Sequence, residues 1–285
     1  TTTVSTGSTS IVNIVLPTPT LATVNVTVNA AGTGQNGATV VLGNSPYGLA
    51  NVSGTTNTTG LVTFTNVPVG TGYTATATLA PFASGSTTFN VVAPTTNATV
   101  ALPAGVLTVN TAWAGQPADS ASVSVTNGST TYTGTTNASG TATFTVPTGS
   151  WNVTVTKNGY SGTGSATVVA SGTTLNITNF PTGTLTVNTT WASLYAGSTA
   201  VTITGGANNG ATYSGTTAVG TGILSIVLPP SAPGFTYSVS GSKNGGTGST
   251  TGVTLPSGGT NSTTVALTPT KTLTLTIQAG GTVQK

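Results

Sequence analysis

The side chains able to do chemistry in this 285-residue chain are quickly counted. Asp119 is the single side-chain carboxylate, and Lys157, Lys243, Lys271 and Lys285 are the only cations; His, Cys, Met, Glu and Arg do not occur. Acid–base catalysis draws on an imidazole or carboxylate held near the reacting proton. Nucleophilic catalysis needs an activating base beside the Ser, Thr or Cys. One carboxylate and no imidazole cannot build a triad, a carboxylate pair or a transition-metal cluster. The composition therefore predicts a protein that is not an enzyme, with no catalytic residues, no cofactor and no metal site. Lys157 falls in the turn Lys157-Asn158-Gly159, where a solvated ammonium is the expectation.

The remaining charge arithmetic excludes further classes. A pI near 9.3 suggests nucleic acid, yet affinity for phosphates grows with clustered Lys and Arg, and these four lysines are scattered. The pI is high because almost nothing titrates. No run of eighteen apolar residues occurs, so no membrane span is expected. The chain starts at Thr1 and lacks Met, which points to a mature, exported product whose leader has been removed, hence an extracellular or cell-surface location. With a single Asp and no Glu or His, folding is expected to vary little between acid and neutral pH. Five Asn-Gly pairs argue against a hyperthermal setting.

The elements that must carry these residues are strands. Thr and Val are β-branched and suit a pleated sheet. Runs such as 141–146, 152–156 and 272–277 alternate with period two, and Asn-Gly turn signals at 36–37, 127–128, 158–159, 209–210 and 244–245 separate them. Joints at Pro17, Pro103, Pro181 and Pro269, spaced by 86, 78 and 88 residues, are each followed by a similar strand: 22–26, 107–111, 185–189 and 273–277. They divide the chain into an N-terminal strand extension (1–18), three repeats (19–103, 104–181 and 182–269) and a C-terminal strand extension (270–285).

Within each repeat a strand ends in Pro, a Gly-containing turn follows, and an aromatic opens the next strand: Gly60 to Tyr73, Gly140 to Trp151, Gly222 to Phe235. This pattern resembles the carboxypeptidase-regulatory-like and CnaB-type domains over nearly the whole chain. The resemblance implies an all-β protein of three tandem Ig-like (prealbumin/CnaB-type) antiparallel β-sandwiches with extra terminal strands, about seven strands each. CnaB-type domains often carry a Lys–Asn isopeptide cross-link promoted by a carboxylate. Only the second repeat holds both a lysine and a carboxylate, and the opening strands, where the family lysine lies, have none, so no cross-link is expected.

Trp113 and Trp191 occupy equivalent places at the end of an opening strand, and Trp151 begins a later one. Exposed, they would suit a sugar-binding adhesin; buried, they supply core area that Ala, Thr and Val lack, which is the expectation. Ten Asn-x-Ser/Thr sequons occur, about as many as the Ser and Thr content produces by chance. Asn57, Asn127, Asn137 and Asn261, assigned to turns, are the candidates for N-linked glycans that would hydrate a nearly uncharged surface.

The ends suggest the function. Val12, Ile14 and Leu16 share one face of an N-terminal strand, and Leu273, Leu275 and Ile277 one face of a C-terminal strand. Either could complete a sheet in a neighbouring copy, and three such buried side chains are worth roughly 5–9 kcal/mol before ordering costs. Head-to-tail exchange is a heterologous contact that extends into an open filament. The layout resembles pili assembled by donor-strand complementation, including thread-like filaments of archaea, with the protein itself as partner. A passive tandem stalk or surface-layer module, and a carbohydrate- or surface-binding adhesin, are the alternatives.

Overall fold

A computed structural model describes residues 18–269 together with the backbone of Ile277–Ala279 and Thr282–Gln284. Its strands form three sandwiches of the same plan. In the first, the opening strand Leu21–Ala30 is central, antiparallel to Leu61–Pro68 on one side and parallel to Thr95–Leu102 on the other. The facing sheet runs in the order Val52–Thr55, Thr39–Gly43, Gly70–Thr78, Gly85–Val91. In the second and third sandwiches the opening strands are Ala104–Trp113 and Gly183–Trp191. The outer strands there are Thr141–Pro147 and Ile223–Leu228, and the closing strands Thr173–Ile177 and Thr260–Leu267.

Strict alternation builds these strands. Along Leu21–Ala30 the residues Ala22, Val24, Val26, Val28 and Ala30 are buried, while Thr23, Asn25 and Thr27 look outward. Each sandwich gains an eighth, two-residue strand over the expected seven: Thr33–Gly34, Gln116–Pro117 and Leu194–Tyr195, folded back onto the opening strand. The ladders are antiparallel as the resemblance implies, except that the opening and closing strands of each sandwich run parallel. That exception has a reason. A sandwich that receives the chain at one end and releases it at the other needs both strands to run in the same direction. The end where the opening strand starts is called the near end below, and the end where it finishes the far end.

Recurrent devices hold the plan. A buried threonine staples each far end: Thr136 Oγ1 donates to the Ala118 carbonyl (2.6 Å) and accepts from the Ala121 amide (2.9 Å), with Thr56 and Thr217 placed alike. Gly140 has φ of 74°, and a Cβ there would lie 2.3 Å from the Thr111 carbonyl oxygen, so both conformation and space demand glycine. Asn158-Gly159 turns with φ of 49° and 85°, the two-residue hairpin geometry that an Asn-Gly pair signals.

By contacts the chain divides into two compact units, Thr1–Ala104 and Gly105–Lys285. The second unit therefore holds two sandwiches, and the side chains that join them are described below.

Buried tyrosines set the pH response. Burial pushes the Tyr237 phenol far above its ordinary range, with the neighbouring Tyr213 adding to it. Burial also raises Tyr132 and Tyr213, the latter offset in part by Asn208, although no hydrogen bond of ordinary geometry joins those two. A raised phenol stabilises the fold fully below the unfolded value, about 10. That contribution is lost as pH rises above it, because the unfolded chain then releases protons that the folded one retains. Thermal melts followed by circular dichroism should show a fall in Tm above pH 10 and little change between pH 4 and 8. A Tm that is flat through pH 11 would contradict this.

Candidate assembly interface

The charged residues meet where the second and third sandwiches join. Lys157 Nζ donates to Asp119 Oδ1 (2.7 Å), to the Asp119 carbonyl (2.8 Å) and to the Asn209 carbonyl of the third sandwich (3.3 Å). The lysine is buried, so the solvated ammonium expected from its turn is corrected. The turn is not free in solution: it is packed against the next sandwich. Around it, Asn158 Nδ2 donates to the Ala207 carbonyl (2.7 Å), Tyr160 Oη to the Ser231 carbonyl (2.8 Å) and Asn208 Nδ2 back to the Pro117 carbonyl (3.2 Å). Ala207, Ala232 and Phe235 of the third sandwich pack on the core of the second. The far end of one sandwich thus grips the near end of the next through a lysine, two asparagines and a tyrosine. Among the described residues there is no group of three or more His, Cys, Asp or Glu to hold a metal.

The outer strand of the third sandwich is the second unusual surface. At matching positions the first sandwich turns Leu61, Thr63 and Thr65 outward and the second Thr141, Thr143 and Thr145, whereas the third turns Ile223, Ser225 and Val227 outward. A polar row runs beside it. Thr63 Oγ1 donates to Asn25 Oδ1, whose Nδ2 donates to Asn97, and a similar row of Thr141, Asn110 and Asn176 lies one step further along the ladder in the second sandwich. At that further step the first sandwich has Leu61, Thr27 and Thr99 in register and the third Ile223, Asn188 and Thr264. Ile223–Leu228 pairs only with the opening strand among the described residues. It is an edge with apolar side chains outside, the feature that proteins normally blunt with charge.

The structure places the other expected residues as follows. Trp113 and Trp151 are buried, which removes both as sugar platforms; Trp191 is half-buried against the third core. Asn57, Asn127 and Asn137 lie in exposed turns. Each Oδ1 accepts from the hydroxyl and amide two residues on, as in Asn137 with Ser139 Oγ (2.8 Å) and Ser139 N (3.0 Å), plus Thr141 N (2.9 Å). Turn formation thus explains these sequons on its own terms. Asn261 is corrected: it lies in the strand Thr260–Leu267 rather than a turn, and its Nδ2 donates to the Thr254 carbonyl. Val12, Ile14, Leu16, Leu273 and Leu275 lie outside the described residues. Ile277 opens a three-residue strand whose backbone pairs with Thr282–Gln284, Ile277 opposite Gln284. No helix among the described residues is long and apolar enough to cross a membrane.

The three hydrogen bonds at Asn137 make a measurable claim. Asn137→Ala should cost about 1 kcal/mol through the loss of that turn acceptor, whereas Asn137→Asp, which keeps an acceptor oxygen, should cost less. Urea midpoints check it, and equal losses for the two variants would remove the acceptor explanation.

No protein-family profile matches the chain, and no curated protein matches it. Among solved structures it is similar to a Streptococcal ancillary pilin at 10% identity and TM-score 0.32, over 88% of this chain and 100% of that one. It is similar to the Bacillus anthracis TIE protein at 16% identity and TM-score 0.31, over 87% of this chain and 51% of that one. It is also similar to the pilus adhesin SpaC from Lactobacillus rhamnosus GG at 11% identity and TM-score 0.33, over 90% and 44%. The chain spans about half the length of the TIE protein and less than half that of SpaC. What it does is read from its own surfaces.

Proposed function

We propose that the chain is a structural, non-enzymatic subunit of an extracellular filament that polymerises head to tail by exchange of a terminal β-strand into the neighbouring copy. The observation that carries this is the edge Ile223–Leu228. It leaves backbone donors and acceptors unpaired and turns both Ile223 and Val227 into water, where the first sandwich turns out one apolar side chain, Leu61, beside two threonines and the second turns out threonines alone. A strand laid along that edge would satisfy the backbone and cover both side chains. Ile11–Leu16 and Leu273–Ile277 are apolar runs of suitable length to do so. Asn57, Asn127 and Asn137 would carry glycans that keep the remaining surface hydrated, their side chains bonding among the described residues through Oδ1; Asn261 drops out because its Nδ2 is engaged. Peptide mass mapping of the native material reads that occupancy directly.

Electron microscopy and sedimentation of the purified protein test the assembly. The parent should form filaments. Variants lacking 1–17 or 270–285, and the edge variant Ile223→Lys/Val227→Lys, identify donor and acceptor as those that remain folded monomers. A parent that stays monomeric at every concentration would overturn the reading. Filaments that persist in both truncations and in the edge variant would overturn strand exchange alone.

A further inference from the structure

The junction inside the second unit shows how one sandwich docks on the next, and it points to a matching pair of surfaces left open at the two outer sandwiches. We infer that the far end of the third sandwich is a docking surface for the near end of the first sandwich of a second copy. The inference rests on the filament reading and names the contact that would set its axial repeat.

The internal junction supplies the template. Its far-end partner consists of the stub Gln116–Pro117, Asp119 and the turn at Lys157–Tyr160; its near-end partner consists of Ala207–Asn209 and Ser231–Phe235. The same far-end positions recur in the third sandwich. Leu194–Tyr195 stands where Gln116–Pro117 stands, both pairing with the end of an opening strand. Lys243 Nζ donates to the Gly197 carbonyl as Lys157 Nζ does to that of Asp119. The loop that engages the second sandwich, between strands Ala200–Gly205 and Thr212–Thr216, has its counterpart in the first sandwich between Thr39–Gly43 and Val52–Thr55.

The exposed apolar side chains collect at these two places. Leu194 (74%), Tyr195 (69%) and Val219 (83%) stand in water at the far end of the third sandwich, with Ile223 beside them. Gly197 and Gly222 bring the chain segments together there: a Cβ on the first would meet Val219 Cα at 2.9 Å, and one on the second Tyr195 Cβ at 3.4 Å. At the near end of the first sandwich, Tyr47 and Leu49 in the counterpart loop are exposed, as are Leu21, Val52 and Val92 around it. Nine of the twelve large apolar side chains exposed among the described residues therefore lie at one of two ends. The internal junction combines polar bonds with the packing of Ala207, Ala232 and Phe235 on the second core. The two ends offer apolar to apolar, and among the described residues the one ionised side chain there, Lys243, is turned onto its own backbone. The two surfaces differ, so the contact is heterologous and repeats without closing on itself. Scattered exposed apolar residues need no explanation, whereas concentrations of this kind mark interaction sites.

Two charge variants test the inference. Leu194→Asp/Tyr195→Asp blocks the far end, and Leu49→Asp blocks the near end with the Tyr47 hydrogen bond to the Val69 carbonyl left intact. Circular dichroism and tryptophan fluorescence confirm folding, since every substituted side chain is exposed. By sedimentation velocity each variant alone should need at least a tenfold higher concentration to assemble than the parent. Their equimolar mixture should stop at a dimer, since each contributes one intact end. If the parent assembles and both variants assemble at the same concentration, the docking inference falls while the filament reading stands. A homodimer of either variant alone would also overturn it, because that contact would be isologous. If the parent itself never assembles, the filament reading falls and this contact with it.

Discussion

Trp113→Ala is expected to unfold the second sandwich under conditions where the parent remains native. The indole is fully buried, stacked on Phe180 at 4.9 Å between ring centroids and meeting Tyr160 edge-on at 5.6 Å. Its Nε1 donates to the Pro181 carbonyl at 2.7 Å, which ties the end of the opening strand to the joint that leads into the third sandwich. Truncating a buried Trp to Ala typically costs about 3–5 kcal/mol. A domain this small has a total stability of about 5–15 kcal/mol. Among the described residues only Phe180 and Tyr160 border the site with comparable bulk, and neither can move into the gap without losing its own packing. Trp113→Phe keeps the stacking and loses the hydrogen bond, so about 1–2 kcal/mol is expected. Trp191→Ala, at the equivalent but half-buried position, should cost less than Trp113→Ala. Urea unfolding followed by the fluorescence of Trp151 ranks the three. Similar losses for Trp113→Ala and Trp191→Ala would show that burial at this end is not what holds the second sandwich.

The comparison of those two tryptophans shows what the sequence reveals and where it stops. Alternation at period two, Asn-Gly turns and the spaced Pro joints make the strands, hairpins and repeat plan legible, because each depends on residues close together in the chain. Trp113 and Trp191 look alike at that level. They differ because Tyr160 and Phe180 cover Trp113, whereas Gly246 stands against Trp191, and such contacts are set by segments distant in the chain. Lys157 is the same case. Its Lys-Asn-Gly turn reads as solvent-facing, and its burial comes from Asn209, 52 residues away. The parallel pairing of opening and closing strands is likewise invisible to local pattern, since it follows from where the chain must leave each sandwich. The apolar residues of Ile223–Leu228 and the Leu194–Tyr195 stub do not stand out in the sequence from other strand residues. Only the fold shows which side of the sheet they occupy. For the sequons the structure gives a simpler cause than counting does: Asn-x-Ser/Thr recurs at Asn57 and Asn137 because asparagine and the following hydroxyl together close the same turn.

Asp119→Ala is expected to be more harmful than Lys157→Met, although both remove the one ion pair seen among the described residues. The two partners are not equally buried: the Lys157 side chain is 8% exposed and that of Asp119 43%. Removing the carboxylate leaves a buried ammonium with only carbonyl oxygens to face. Removing one partner of a fully buried pair costs about 3–5 kcal/mol, and because water reaches Asp119 from one side about 1–3 kcal/mol is expected here. Lys157→Met keeps the aliphatic stem packed between the sandwiches, removes the charge that needed compensation, and leaves Asp119 free to hydrate, so the cost should be about 1 kcal/mol or less. The double variant should match Lys157→Met and not the sum of the two, since the carboxylate has no task once the ammonium is gone. Because Lys157 also reaches the Asn209 carbonyl, Asp119→Ala should speed amide exchange in the third sandwich as well as the second. Hydrogen-exchange mass spectrometry separates the two, and urea midpoints give the energies. A Lys157→Met loss as large as that of Asp119→Ala, with the double variant summing both, would mean that the pair is a surface ornament and that the sandwiches are held by Asn158, Tyr160 and apolar packing alone.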